Sequence, residues 1–69
     1  MSMKPDSLLE ELRRIVREYI SDPNIKAELE KDIERTKVKY VLGELEKYRD
    51  RELSAADKEI VKDLVFYFV

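Results

Sequence analysis

The sequence contains no cysteine and no histidine. Without cysteine the chain cannot form a disulfide, and without either residue it lacks the usual ligands of a structural zinc ion. The same absences remove the thiol nucleophile and the imidazole base on which many enzymes depend. The single glycine excludes a glycine-rich phosphate-binding loop. We therefore expect no metal ion, no cofactor and no enzymatic activity.

Long apolar segments are also missing. The longest uninterrupted apolar run, LVFYFV at 64–69, is far shorter than the roughly 18 residues of a membrane span. The opening residues MSMKPDSLLEE lack the apolar region of a signal peptide. Fourteen Lys and Arg face sixteen Asp and Glu, a formal net charge of −2, which gives no general attraction to an anionic surface. These features predict a cytoplasmic protein that does not bind membranes.

With 69 residues, the chain is near the lower limit for a self-sufficient hydrophobic core. Because disulfides and zinc are excluded, its stability must come from oligomerisation or from unusually good helix packing. The high proportion of charged residues, 43%, and the absence of Gln are typical of thermophile proteins. Any short helical chain rich in Glu and Lys, including a designed one, would share this composition.

The sequence predicts an all-α, three-helix bundle-like domain with a long central helix. One Gly, two Pro and no strand-like alternation favour helices at about 7–20, 23–50 and 55–68 of a single domain, 1–69. This domain would be either the whole protein or the N-terminal domain of a longer one. Ser7 and Glu10 have the spacing of a capping box that opens the first helix. Its inward stripe is Leu8, Leu12, Ile15, Val16 and Tyr19.

The second helix is predicted to begin with Asp22 as its cap and Pro23 as its first residue. Its apolar residues change face around residues 37–43, where Gly43 lies. The helix either breaks or bends there, or it continues and buries its two halves against different neighbours; we favour the continuous helix. One side contains Ile25, Leu29, Ile33, Thr36 and Tyr40, and the nearly opposite side contains Val38, Val41, Leu42, Leu45 and Tyr48.

The third helix has the clearest start, since Ser54 and Asp57 have the spacing of a capping box. Phe66 and Val69 project away from its inward stripe. They would lie in an interface, pack under the N-terminal segment, or lie at a domain boundary with more protein following. The predicted inward stripe is Ile60, Val61, Leu64, Val65 and Phe68.

We expect a non-catalytic protein–protein interaction or assembly module that binds another copy of itself, as a homodimer, or a different protein. The four tyrosines are expected in the core with their hydroxyls at the surface, or at an interface, where tyrosine is enriched. The candidate interface residues are Val38, Val41, Leu45, Tyr48, Phe66 and Val69.

The alternative is a helical subunit or domain of a nucleic-acid-processing complex. Lys31, Arg35 and Lys39 would form a ridge at i, i+4 and i+8 that contacts phosphates. The stretch RTKVKYVLGELEKYRDREL, followed by LSAADKEIVKDL, resembles the helical domain of archaeal GINS replication-complex subunits. There a long charged helix precedes a capped one. The resemblance covers about half of the chain, contains no specific motif and assigns no residue a role.

Overall fold

The computed structural model describes residues 4–69. They form the helices α1 (Pro5–Tyr19), α2 (Pro23–Glu34), α3 (Val38–Tyr48) and α4 (Ala55–Phe68). Each helix packs against the next, and α4 packs against α1, so the four surround one core. None of the described helices is long and apolar enough to cross a membrane. The all-α prediction is confirmed, but the single helix predicted over 23–50 is wrong, because the structure divides it into α2 and α3.

The division follows from a Schellman motif at the end of α2. The backbone N–H of Lys37 donates to the carbonyl of Asp32, and that of Thr36 donates to the carbonyl of Ile33, both at 2.9 Å. This motif requires a residue in the left-handed conformation, usually glycine. Thr36 has a φ of 59° and is the non-glycine residue with positive φ among residues 4–69. Because a β-branched residue rarely adopts this conformation, the break is hard to recognise in the sequence.

The break explains why the apolar stripe changes face. Because the chain turns at 35–37, α3 folds back and directs its apolar side toward the core that α2 already faces. Val38, Val41 and Leu45 are fully buried there together with Leu29 and Ile33. The buried residues of both stripes therefore pack against one core, so the predicted burial against two different neighbours is wrong. Thr36, Tyr40 and Tyr48 are exposed.

The largest share of the core comes from α1, whose predicted stripe is buried as expected. The radius of gyration, 10.9 Å, equals the roughly 11 Å expected of a compact chain of this length. By contrast, Leu64 is the only apolar side chain of α4 that is fully buried. The buried apolar residues are Leu8, Leu12, Ile15, Val16, Tyr19, Ile20, Leu29, Ile33, Val38, Val41, Leu45 and Leu64.

Two of the three predicted helix starts are confirmed. The Asp22 carboxylate accepts from the first backbone N–H groups of α2, and the Ser54 hydroxyl accepts from the N–H of Asp57 at 3.1 Å. The prediction for Ser7 is wrong, because α1 begins two residues earlier at Pro5. A proline at the first position has its φ already set for a helix and loses no hydrogen bond there.

In α4, the predicted inward stripe is correct in part. Ile60, Val61 and Phe68 are partly buried against the core, but Val65 is exposed. Phe66 points away from the core, as its position in the helix predicts.

Candidate functional site

The exposed large apolar side chains of α4 lie in its last two turns. Val65, Phe66 and Tyr67, together with Val69 at the end of the helix, are between 45% and 76% exposed, and Phe66 is the most exposed of them. We call these four residues the α4 apolar face. The rings of Phe66 and Tyr67 meet edge to face with their centroids 5.5 Å apart. Leu64 and Phe68 fill the inner side, so this part of the helix is apolar all round, which is typical of a helix buried on every side.

A groove of about 670 Å³ runs beside the end of α4. Its mostly apolar wall is formed by the first turns of α3, and Phe68 joins it to the last turn of α4. We call it the α3 groove. Its volume falls in the usual range for ligand-binding clefts, but it is a wide, open depression, which suits a protruding side chain of another protein better than a small molecule. The lining residues are Thr36, Lys37, Val38, Lys39, Tyr40, Gly43, Glu44, Lys47 and Phe68.

Gly43 lies exposed in the interior of α3, within the α3 groove. Glycine costs a helix about 1 kcal/mol relative to alanine. Apart from its chain neighbours and the nearby backbone of its own helix, a Cβ added at Gly43 would meet no atom of residues 4–69 within 4 Å, so packing against the rest of the domain does not require the glycine. Its missing side chain instead deepens the groove.

The structure separates the predicted interface residues into three groups. Val38, Val41 and Leu45 belong to the core, so they cannot form the exposed patch predicted for them. Their prediction depended on the continuous helix and fails with it. Tyr48 is exposed but lines a neighbouring depression with Ile25 and Leu29, between α2 and α3. Phe66 and Val69 remain together on the α4 apolar face.

The three predicted phosphate-binding residues are exposed but do not lie on one helix. Lys31 lies in α2, Arg35 in the turn and Lys39 in α3. Because α2 ends at Glu34, the spacing i, i+4 and i+8 no longer places them along one side of a helix.

A second cluster, of polar residues, joins α1 to the start of α4. The Tyr19 hydroxyl donates to Asp57 Oδ2 at 2.7 Å and accepts from the backbone N–H of Ser54 at 3.1 Å. Arg14 Nη2 donates to Asp57 Oδ1 at 2.6 Å. We call Arg14, Tyr19, Ser54 and Asp57 the α1–α4 polar cluster. In a capping box the Asp57 carboxylate would accept directly from the backbone N–H of Ser54. Here the Tyr19 hydroxyl lies between them and bridges the two groups.

The electrostatics of the α1–α4 polar cluster favour the charged forms of Asp57 and Arg14. The hydrogen bond from Arg14 is the largest influence on Asp57 and lowers the pKa of that carboxyl, although burial acts in the opposite direction. In turn, the Asp57 and Glu11 carboxylates raise the pKa of the Arg14 guanidinium. Among the described residues, every buried side-chain nitrogen and oxygen has a hydrogen-bond partner. The cluster therefore contains a fixed ion pair rather than a group ready to exchange a proton near neutral pH.

The connection between α3 and α4 is fastened to the same end of α1. The guanidinium of Arg51 lies over the ring of Tyr19, 4.2 Å from its centroid, and donates to the carbonyl of Glu18 at 3.1 Å. The N–H of Asp50 donates to the carbonyl of Tyr19 at 2.8 Å. This role of Tyr19 was not predicted: its hydroxyl was expected at the surface, and its spacing in the helix indicates only that the ring is buried.

Comparisons with protein-family models, curated proteins and solved structures found no match to this chain. Its function must therefore be inferred from the geometry of its own residues.

Proposed function

We propose that this chain is a non-catalytic protein–protein interaction or assembly module that self-associates through the α4 apolar face. The observation that carries the proposal is the exposure of Phe66, 76%, on a helix end that is apolar on every side. Removing such surface from water is favourable by about 25 cal/mol per Å², and contiguous patches of this kind mark interaction sites.

Further support comes from how little of α4 this domain buries. The helix has apolar side chains at 60, 61 and 64–69, yet only Leu64 is fully buried. α1 buries an entire stripe over a similar length. A second molecule against α4 would cover the side that the domain leaves in water.

Catalysis has less support than interaction. A general acid or base needs a pKa near the working pH, which burial or like charges can provide. The shifts at Asp57 and Arg14 stabilise the charged forms instead. The same is true on the surface, where the ion pair with Arg49 lowers the pKa of Glu46.

The alternative function, phosphate contact by a subunit of a nucleic-acid-processing complex, loses support because Lys31, Arg35 and Lys39 do not share one helix face. It would require binding of an oligonucleotide that weakens steeply with salt. Replacing Lys31 and Arg35 by glutamate would abolish that binding.

Molar mass by light scattering on a sizing column, over a wide range of protein concentration, tests self-association. We expect a dimer for the wild type and a monomer for Phe66→Ala, because truncating a central interface aromatic commonly costs 2 kcal/mol or more in binding. Lys58→Ala is the matched control: it changes an exposed residue near the other end of the same helix and should remain dimeric.

Circular dichroism must show that all three proteins are equally helical, as expected for changes at exposed positions. A folded wild type that remains monomeric at the highest concentration would refute self-association. If the Phe66→Ala and Lys58→Ala dimers dissociate to the same extent, the interface does not lie on the α4 apolar face.

A further inference from the structure

The α3 groove contains two residues that make the folded monomer less stable than other residues at the same positions would. Thr36 holds a left-handed conformation that glycine would adopt at lower cost, and Gly43 occupies a helix interior where alanine would be more stable. Departures from local preference of this kind are expected at functional sites. Both residues line one groove, next to the helix end that carries the most exposed aromatic side chain.

The charges around the groove and around Phe66 are complementary. Three of the lining residues are lysines, whereas Glu44 is the one carboxylate among them. On α4, Lys62 and Asp63 precede Phe66 by four and three residues and therefore lie on neighbouring parts of the helix surface. Lys62 is paired with the Glu59 carboxylate at 3.3 Å, so the net charge of these three side chains is negative. A phenylalanine side chain with a nearby carboxylate suits an apolar groove bordered by lysines.

A second copy of the chain would have to use both features at once, because the exposed aromatic side chains alone do not supply a standard interface. At about 200 Å² for an aromatic side chain, the exposed parts of Tyr40, Phe66 and Tyr67 amount to about 350 Å². A standard interface buries about 800 Å² on each partner, so this aromatic surface alone is too small. In a two-fold dimer each molecule presents the same patch, and every contact occurs twice. Each chain would then contribute both Phe66 and its groove.

We propose that the α3 groove receives Phe66 of a second copy of this chain, with Gly43 leaving the space that the ring occupies. This inference rests on the proposed self-association and adds the surface that receives the aromatic side chain. The groove lysines lie near Asp63 of the second copy, and Tyr40 and Phe68 contact the inserted ring.

Two variants that disable opposite sides of the contact provide the test. Phe66→Ala removes the inserted side chain and keeps the groove. Gly43→Leu fills the groove and keeps Phe66. It should fold, because the position is exposed and a Cβ there meets no atom of residues 4–69 beyond its chain neighbours and its own helix backbone within 4 Å. We expect each change to weaken dimerisation at least about tenfold, the effect of losing one interface anchor. Gly43→Ala is the matched control and should weaken it much less.

Mixing the two variants then asks whether the two sites contact each other. Neither variant alone can place a phenylalanine in an open groove, but a mixed pair can form one such contact. The mixture should therefore have a higher weight-average molar mass than either variant alone at the same total concentration. Circular dichroism serves as the folding control for each protein.

The outcomes separate this inference from the proposed function. If Phe66→Ala dissociates the dimer but Gly43→Leu does not, self-association stands and the groove is not the receiving site. If both variants dissociate but the mixture does not recover, the two features belong to different contacts and the inference is wrong. If the wild type is monomeric, both the inference and the proposed function fail.

Discussion

The Tyr19 hydroxyl should contribute a large share of the stability of this domain. It donates to the Asp57 carboxylate at 2.7 Å and accepts from the N–H of Ser54 at 3.1 Å, and the residue is only 2% exposed. Tyr19→Phe removes both hydrogen bonds while keeping the ring in the core and beneath Arg51. The substitution therefore isolates the hydroxyl from the packing.

The magnitude can be worked out from the two bonds. A hydrogen bond to a charged group contributes about 1.5–3 kcal/mol and a neutral one about 0.5–1.5 kcal/mol. Asp57 keeps its bond from Arg14, so we expect a loss near the lower end, about 2 kcal/mol. The whole domain should have an unfolding free energy of only about 3–10 kcal/mol at this length. One hydroxyl would then account for a fifth or more of it.

Urea unfolding followed by circular dichroism measures the loss. With a denaturant dependence of about 1 kcal/mol per molar urea for so small a protein, the midpoint should fall by about 2 M. Tyr48→Phe is the matched control: the side chain is half-exposed, and the change should cost less than about 0.5 kcal/mol. All proteins must be compared at one concentration, because dimerisation would add to the measured stability. Equal midpoints for the two variants would refute the structural role assigned to the hydroxyl.

Two further changes test the polar cluster and the turn. The pKa of Asp57 is lower in the folded than in the unfolded chain, so on acidification the unfolded chain takes up the proton first. The stability that Asp57 contributes is therefore present above about pH 4 and is lost as the pH falls further. Urea midpoints measured at falling pH should therefore drop less steeply for Asp57→Asn than for the wild type. Glu46→Gln, at an exposed ion pair, is the control and should change the pH profile little. Equal slopes for Asp57→Asn and the wild type would contradict the stabilising role assigned to the Asp57 carboxylate. Thr36→Gly should raise the unfolding free energy by up to about 1 kcal/mol, because relief of the left-handed conformation outweighs the added flexibility of glycine in the unfolded chain. Thr36→Ala keeps the strain and should bring no such gain in thermal unfolding; a gain equal to that of Thr36→Gly would contradict this explanation.

Helical periodicity and capping were enough to predict much of this fold from the sequence. The stripe of α1 and the cap and first residue of α2 follow from local rules that tertiary contacts did not override. The break after Glu34 could not be predicted with the same ease. Its usual sign is a glycine in the left-handed position, and here Thr36 takes that position while the one glycine lies inside α3. The change of apolar face near residues 37–43 was the available signal, and it was equally consistent with a break and with a continuous helix.

The wrong prediction of a continuous helix also made part of the predicted interface wrong. On a continuous helix Val38, Val41 and Leu45 would face away from the first stripe and be free for a partner, but with the turn they fill the core. Phe66 and Val69 depend only on the periodicity of α4, so their exposure was predictable. The α3 groove was not, because it combines a turn, a helix face and the end of another helix that meet only in the folded chain.

The two ends of α4 are held in different ways, and the difference bears on function. Its first turn is fixed by the α1–α4 polar cluster, in which charged hydrogen bonds define one geometry. Its last two turns rely on Leu64 and the partly buried Phe68, and the remaining apolar side chains face water. Segments with little buried apolar surface open at low free-energy cost. Burying Phe66 in a second copy would therefore add stability where the domain supplies least, so dimerisation and ordering of this helix end would reinforce each other.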